Sequence, residues 1–190
     1  MKGHRLMLAT LLISATSAYA QQPQRIRPEI RPFIAAYLPA GALRDDFKSA
    51  TTLGAQAALE ISPFMHVVGT VGWTHGHNKY ANFSDDVTYI WQYDVGAEFN
   101  LTREWGSSWL LKPFLGAGAG GRTYDYQAVN VGTNTCTAGY STIGSELQKG
   151  VMALRFEARN YLACFKSPMT AEKKTRNDVG IAFGVAYHVR

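Results

Sequence analysis

The stretch Val179-Gly180-Ile181-Ala182-Phe183-Gly184-Val185-Ala186-Tyr187-His188-Val189 decides the reading of this chain. Every second residue is large and apolar, while Gly180, Ala182, Gly184, Ala186 and His188 between them are small or polar. Successive side chains of a strand point to opposite faces, so this segment has one bulky, oily face and one lean face. The same alternation runs from Thr88 to Leu101: Tyr89, Trp91, Tyr93, Val95, Phe99 and Leu101 alternate with Gln92, Asp94, Gly96, Glu98 and Asn100. Helical spacing is hard to find anywhere in the chain beyond its first twenty residues.

Extending this reading outward predicts eight strands, near 29–38, 51–61, 64–74, 88–101, 109–122, 138–147, 151–163 and 177–189. Their lengths suit the roughly 9 to 11 residues with which a tilted strand crosses a bilayer. Between them, long connections (39–50, 75–87, 123–137, 164–176) alternate with shorter ones (62–63, 102–108, 148–150). Such alternation belongs to an up-and-down antiparallel barrel with tight turns at one end and extended loops at the other. An even strand number leaves both termini at the turn end, which is then the periplasmic side.

A soluble eight-stranded barrel shares this topology, so the decision rests on which face carries charge. Glu60, His66, Asp94, Glu98, Lys112, Glu146, Arg155, Glu157, Arg159 and Asp178 all take the parity opposite to the bulky apolar set of their strand. Closing eight strands leaves an interior only wide enough for side chains. The lean, charged face fits that interior, and the bulky face belongs in hydrocarbon, where an Arg or Lys near the midplane costs about 2–4 kcal/mol. The aromatic residues Tyr37, Trp73, Tyr89, Trp91, Tyr161 and Phe165 fall near the external strand ends, and Phe64, Phe99, Trp105, Trp109 and Tyr187 near the periplasmic ends, as expected of interfacial girdles.

The composition agrees. Of 190 residues, 46% are hydrophobic and only 17% charged, which argues against disorder. Beyond residue 20 there is no apolar run of the ~18 residues a spanning helix needs. With 19 Lys and Arg against 14 Asp and Glu, the basic surplus is too mild to support nucleic-acid binding. Lys2, His4 and Arg5 precede an apolar run from Leu6 to Ile13 and the small-residue site Ala18-Tyr19-Ala20, the pattern of a secretory signal cleaved before Gln21. The expected organisation is a signal peptide over 1–20, a periplasmic tether over 21–28 and a barrel over 29–190. An exported chain meets oxidising conditions, and Cys136 and Cys164 sit at the external rim of neighbouring hairpins, where a disulfide would stiffen both loops.

Signal, alternation, loop lengths and an amphipathic last strand together resemble the small eight-stranded outer-membrane barrels of the OmpA and OmpX type, over essentially the whole mature chain. The resemblance implies insertion by the barrel-assembly machinery and a place among outer-membrane lipid. Families of this kind end the last strand on an aromatic residue, and here Arg190 stands in its place. Eight-stranded barrels also include lipid A deacylases and palmitoyltransferases, and the deacylases carry a His-x-Ser pair; no His of this chain is followed two residues later by Ser.

Depths assigned from antiparallel strands place Lys112 between Glu98 and Glu146, Arg159 beside Asp178, and Asp94, Arg155 and Glu157 between these layers. Such a network serves either as a polar plug or as a narrow ion path, and the width of the tube favours the plug. Lys166, Lys173, Lys174 and Arg176 on the last long loop form a basic patch facing the phosphate-rich outer leaflet, so lipopolysaccharide is the expected contact. Gly116-Ala117-Gly118-Ala119-Gly120-Gly121 matches a dinucleotide pattern but leads into no helix; its inward glycines make room for large neighbours. His75-Gly76-His77 offers too few ligands for a metal. The reading is therefore a monomeric, non-enzymatic envelope barrel without cofactor or metal, acting by anchoring, envelope structure or loop contacts; a lipid A-modifying enzyme and a narrow diffusion channel are the alternatives.

Overall fold

The structure is a computed structural model that describes residues 27–80, 86–105, 108–128, 130–166 and 173–188. The segments read as signal peptide and most of the tether, together with Val189 and Arg190, lie outside these residues. Nine strands form one antiparallel sheet: β1 (Arg27–Ala40), β2 (Ala50–Ser62), β3 (Met65–His77), β4 (Val87–Asn100), β5 (Arg103–Trp105), β6 (Trp109–Tyr126), β7 (Asn134–Lys149), β8 (Met152–Lys166) and β9 (Lys173–His188). Each long strand pairs with its sequence neighbour, β1 pairs with β9 and β4 pairs with β6, so the eight long strands close into a barrel.

Two features differ from the sequence reading. The 102–108 connection is not a plain turn: Arg103–Trp105 adds a short strand on the start of β6, with Trp105 opposite Trp109. At the long-loop end, β6, β7, β8 and β9 run on to Tyr126, Asn134, Lys166 and Lys173, beyond the limits that apolar alternation marks. There the pattern reverses, because Tyr124, Tyr126 and Phe165 turn inward while Thr123, Asp125 and Lys166 take the outer face, yet backbone pairing continues.

The inversion of faces is complete at mid-depth. Ile34, Val71, Val95, Leu115, Ile143, Phe156 and Phe183 are exposed on the outer surface, whereas Asp94, Glu98, Glu146, Arg155, Glu157, Arg159 and Asp178 are buried inside. A surface apolar to this extent is unsuited to water and suited to hydrocarbon.

The interior is not lean throughout. Three large rings point inward at places where the neighbouring strand supplies a glycine. Phe33 lies in register with Gly54 on β2 and Gly184 on β9, Tyr140 with Gly118, and Phe114 with Gly144. A Cβ on Gly96 or Gly118 would collide with Tyr140, and one on Gly144 with Phe114. The Gly116–Gly121 run thus lies in a strand and serves packing. The tight turn between β7 and β8 places Gly150 at φ 64°, a left-handed conformation that favours glycine.

The disulfide joins Cys136 on β7 to Cys164 on β8, with Cα atoms 5.4 Å apart. Both cysteines lie within the extended strands rather than in loops, so the bridge ties neighbouring strands at the long-loop end.

Val95 lies near the middle of β4 on the outer face. Val95→Arg is expected to lower the unfolding free energy of the barrel in lipid vesicles by about 2–4 kcal/mol, read by urea titration of tryptophan fluorescence.

Candidate functional site

Among the described residues, the interior of the barrel is where ionisable side chains concentrate, and strand alternation sets each of them. From the turn end upward, Glu29 and Arg31 enter from β1, His66 from β3, Glu98 and Asn100 from β4, Lys112 from β6, Glu146 from β7, and Arg155, Glu157 and Arg159 from β8. Arg122 on β6 and Asp178 on β9 lie highest, next to the long-loop end.

Glu98 is the centre of the lower layer. One of its carboxylate oxygens accepts from Arg31 Nη1 at 2.8 Å and the other from Arg155 Nη2 at 2.6 Å. Arg155 also donates to Glu157, and Arg159 Nε donates to Glu157 at 2.6 Å. Gln56 Nε2 completes Glu157 at 3.1 Å. Above it, Asp94 accepts from Tyr161 Oη at 2.8 Å and from Arg159 Nη1 at 3.2 Å. The guanidinium planes lie over rings as well: Arg155 over Phe114 at 3.7 Å, Arg159 over Tyr140 at 4.2 Å and Arg122 over Tyr161 at 4.0 Å. Isolated buried charges would be ruinous, and mutual hydrogen bonds and cation–π contacts offset their desolvation.

This network corrects the pairings expected from strand depth. Lys112 reaches Glu146 at 3.9 Å, but Glu98 is taken by the two arginines. Asp178 lies 3.0 Å from Arg122, and Arg159 turns to Asp94 and Glu157 instead. Strand order locates a charge at a height; which partner it meets depends on reach across the lumen, which register alone does not convey. Glu60 is half-buried at the turn end, opposite His66 in register.

Glu29, Arg31, Arg122 and His188 belong to the network, and the sequence pattern does not single them out. Glu29 and Arg31 share their parity with Phe33 and Tyr37, so a rule that sends bulky residues outward misassigns that face. The signal that could have found them is the opposite set, Ile30 and Ile34, both exposed. Arg122 shares the even parity of Lys112 and of Gly116, Gly118 and Gly120.

The expected girdle is likewise corrected. Tyr37, Tyr161 and Phe165 are buried inside the barrel, whereas Trp73, Tyr89 and Trp91 lie on its outer face. At the long-loop end, Tyr37, Ile90, Tyr124, Tyr126 and Phe165 form an apolar cluster closed by Leu43 and Phe47 from the β1–β2 connection. Phe47 stacks on Tyr124 at 5.5 Å and meets Phe165 edge-on at 5.8 Å. A 3-10 turn over Gly41–Asp45 carries this connection across the mouth. Lys48 N donates to the His77 carbonyl, Tyr80 Oη donates to Asp46 at 2.8 Å, and Arg176 pairs with Asp46 at 3.3 Å. Beneath this cap the lumen keeps cavities of about 30 and 10 Å³, room for single waters.

Of the basic patch, Lys166 is exposed and stands opposite Lys173 in register, with Lys174 opposite Phe165. Arg176 is mostly covered and engaged by Asp46. The side chains of Lys173 and Lys174 lie outside the described residues. His77 meets Asp86 at 3.2 Å, and on the outer face His75 stacks on Trp73 and lies tilted against Tyr89. The His77 ring and the Lys48 ammonium hold the Asp86 carboxyl below the usual aspartate range.

Removing one partner of a buried pair leaves an uncompensated charge and costs about 3–5 kcal/mol. Glu98→Gln is therefore expected to destabilise the folded barrel by that amount, with Glu60→Gln at the half-buried mouth far milder, both measured by urea unfolding in vesicles.

No protein-family model matches this chain, and no curated protein matches it. Among solved structures it is similar to Neisserial surface protein A, at a TM-score of 0.60 and 15% identity over 84% of this chain and 96% of that one. It is also similar to the N-terminal β-barrel domain of OprF from Pseudomonas aeruginosa, at a TM-score of 0.56 and 11% identity over 86% of this chain and 97% of that one. Likeness at these identities establishes architecture: the chain has the fold of the small eight-stranded outer-membrane barrels.

Proposed function

We propose that this protein is a non-enzymatic barrel of the bacterial outer membrane that anchors in the envelope and acts through the surface built by its long loops. The observation that carries this reading is the blocked lumen: ion pairs fill it from Glu29 to Asp178, and the Phe47 cluster closes the long-loop end. Among the described residues, the cavities between these side chains measure about 30 Å³ and 10 Å³, room for single waters and too small for a hydrated ion. The interior histidines meet carboxylates and an amide: His66 contacts Glu29 and Asn100, and His188 contacts Glu29 and Glu146. A nucleophile and base within reach, which acyl transfer requires, is a different arrangement.

In planar bilayers the refolded protein is expected to give no unitary conductance, and lipid A from cells with and without it is expected to have the same acyl pattern by mass spectrometry. Stable channel openings would replace this function with diffusion, and an altered acyl pattern would replace it with lipid modification.

The surface partner we propose is lipopolysaccharide, bound by Lys166, Lys173 and Lys174 through its phosphates. Arg176 is assigned a structural part because Asp46 engages it. The combined K166E, K173E and K174E substitutions are expected to reduce lipopolysaccharide co-purifying with the folded barrel; unchanged co-purification would retire this partner.

A further inference from the structure

At the turn end the charges close into a circle. Arg31 donates to Glu29 Oε2 from Nε and Nη2 at 2.9 and 2.6 Å, and to Glu98 from Nη1 at 2.8 Å. Arg155 donates to Glu98 from Nη2 at 2.6 Å and faces Glu146 Oε2 through Nη1 at 3.7 Å. His188 shuts the circle: its Nδ1 lies 2.6 Å from Glu29 Oε1 and its Nε2 3.3 Å from Glu146 Oε1. Glu29, Glu98 and Glu146 thus alternate with Arg31, Arg155 and His188 around the lumen.

The place of His188 in this circle demands a charged ring. A neutral imidazole has one N–H and one lone pair, whereas the imidazolium has an N–H on each nitrogen. Carboxylate oxygens stand at both nitrogens of His188, so the neutral form would turn a lone pair towards one of them. His66 provides the contrast. Its Nδ1 accepts from the Asn100 amide at 2.7 Å and its Nε2 lies 3.4 Å from Glu29 Oε1, an arrangement that the neutral ring serves with a single proton. The balance of charge agrees. Among the described residues, Glu29, Asp94, Glu98, Glu146, Glu157 and Asp178 outnumber Arg31, Lys112, Arg122, Arg155 and Arg159 by one inside the barrel, and a charged His188 makes the two sets equal. Of the remaining ionisable groups at this mouth, Lys112 reaches Glu146 Oε1 at 3.9 Å, and half-buried Glu60, in register with His66, adds negative charge that favours a cation here.

We propose that His188 is held as an imidazolium that straps the last strand to β1 and β7, a proton-dependent lock on the seam that closes the barrel. Glu29 and His188 are register partners across that seam, and Glu146 stands on β7, beyond β8. His188 N donates to the Val151 carbonyl at 2.9 Å, so the backbone fixes the residue that carries the ring. The unfolded chain has no carboxylates arranged about this imidazole. Folding therefore takes up a proton wherever a free imidazole is neutral, and the stability of the seam falls as pH rises through that range. His188 is 16% exposed, which leaves it open to proton exchange from the turn end.

The test uses the full mature chain refolded in detergent micelles and carrying H75N/H77N, which leaves His66 and His188 as its histidines. Heat-modified gel mobility confirms folding of each variant. Ring-nitrogen NMR of isotope-labelled histidine at about pH 7.5 is expected to show His188 protonated on both nitrogens and His66 neutral, the signals being assigned with H188Q and H66N. Between about pH 6 and about pH 9, where imidazole is the ordinary side chain that titrates, the folding equilibrium constant read by urea titration is expected to fall at least about tenfold in the parent and in H66N. In H188Q it is expected to stay level. E146Q retains side-chain shape, removes one of the two carboxylates at the ring, and is expected to move both the loss of the doubly protonated signal and the loss of stability to lower pH; it decides between the outcomes should H188Q fail to fold. A single ring proton on His188 at about pH 7.5, a pH dependence that H188Q keeps, or an E146Q profile that coincides with the parent's would overturn the assignment.

Discussion

An ionised side chain near the middle of a bilayer is tolerated only where something other than lipid surrounds it. In this chain the answer to that constraint is a closed ring of strands with every mid-depth charge turned inward. Once inside a tube this narrow, the charges have no bulk water, so they must satisfy one another. Glu98 illustrates the result, accepting one arginine on each carboxylate oxygen from β1 and β8, the strands that flank β9 across the lumen. The network thus stands as a consequence of the membrane surface rather than a separate design.

Packing follows from the same closure. Eight strands enclose too little space for guanidinium groups and aromatic rings side by side unless some strand positions give up their side chains. Glycines at 54, 96, 118, 144 and 184 do so, and Phe33, Tyr140 and Phe114 fill the space they leave. Those rings then provide the faces over which Arg155 and Arg159 lie. At the long-loop end the charges give way to an apolar cap, and at the turn end to a carboxylate-rich mouth. The two ends of one tube therefore differ in chemistry: one is sealed by rings, the other gathers Glu29 and Glu146 around His66 and His188.

Much of the architecture is legible in the sequence because period-two alternation is a local property of the chain. Val179 to Val189 and Thr88 to Leu101 each declare two faces without reference to any other segment, and the interior place of Asp94, Glu98, Glu157 and Asp178 follows from parity. The first strand is harder. Its inward face mixes Glu29 and Arg31 with Phe33 and Tyr37, and size and charge point in opposite directions there. The girdle expectation fails for Tyr37, Tyr161 and Phe165 for the same reason: an aromatic near a strand end satisfies an interface or a capped interior equally well, and one-dimensional position does not separate them.

By itself the sequence determined the eight strands that close the barrel, their antiparallel order, the inverted faces and the height of most charges, since these depend on alternation and on connection length. Only the tertiary structure decided partners. That Arg122 meets Asp178, that Phe47 folds over Tyr124, and that Glu146 and Glu29 meet at His188 all depend on distances across the lumen. Those distances are set when the ring closes between β1 and β9, a condition on the whole chain that no single stretch of it expresses.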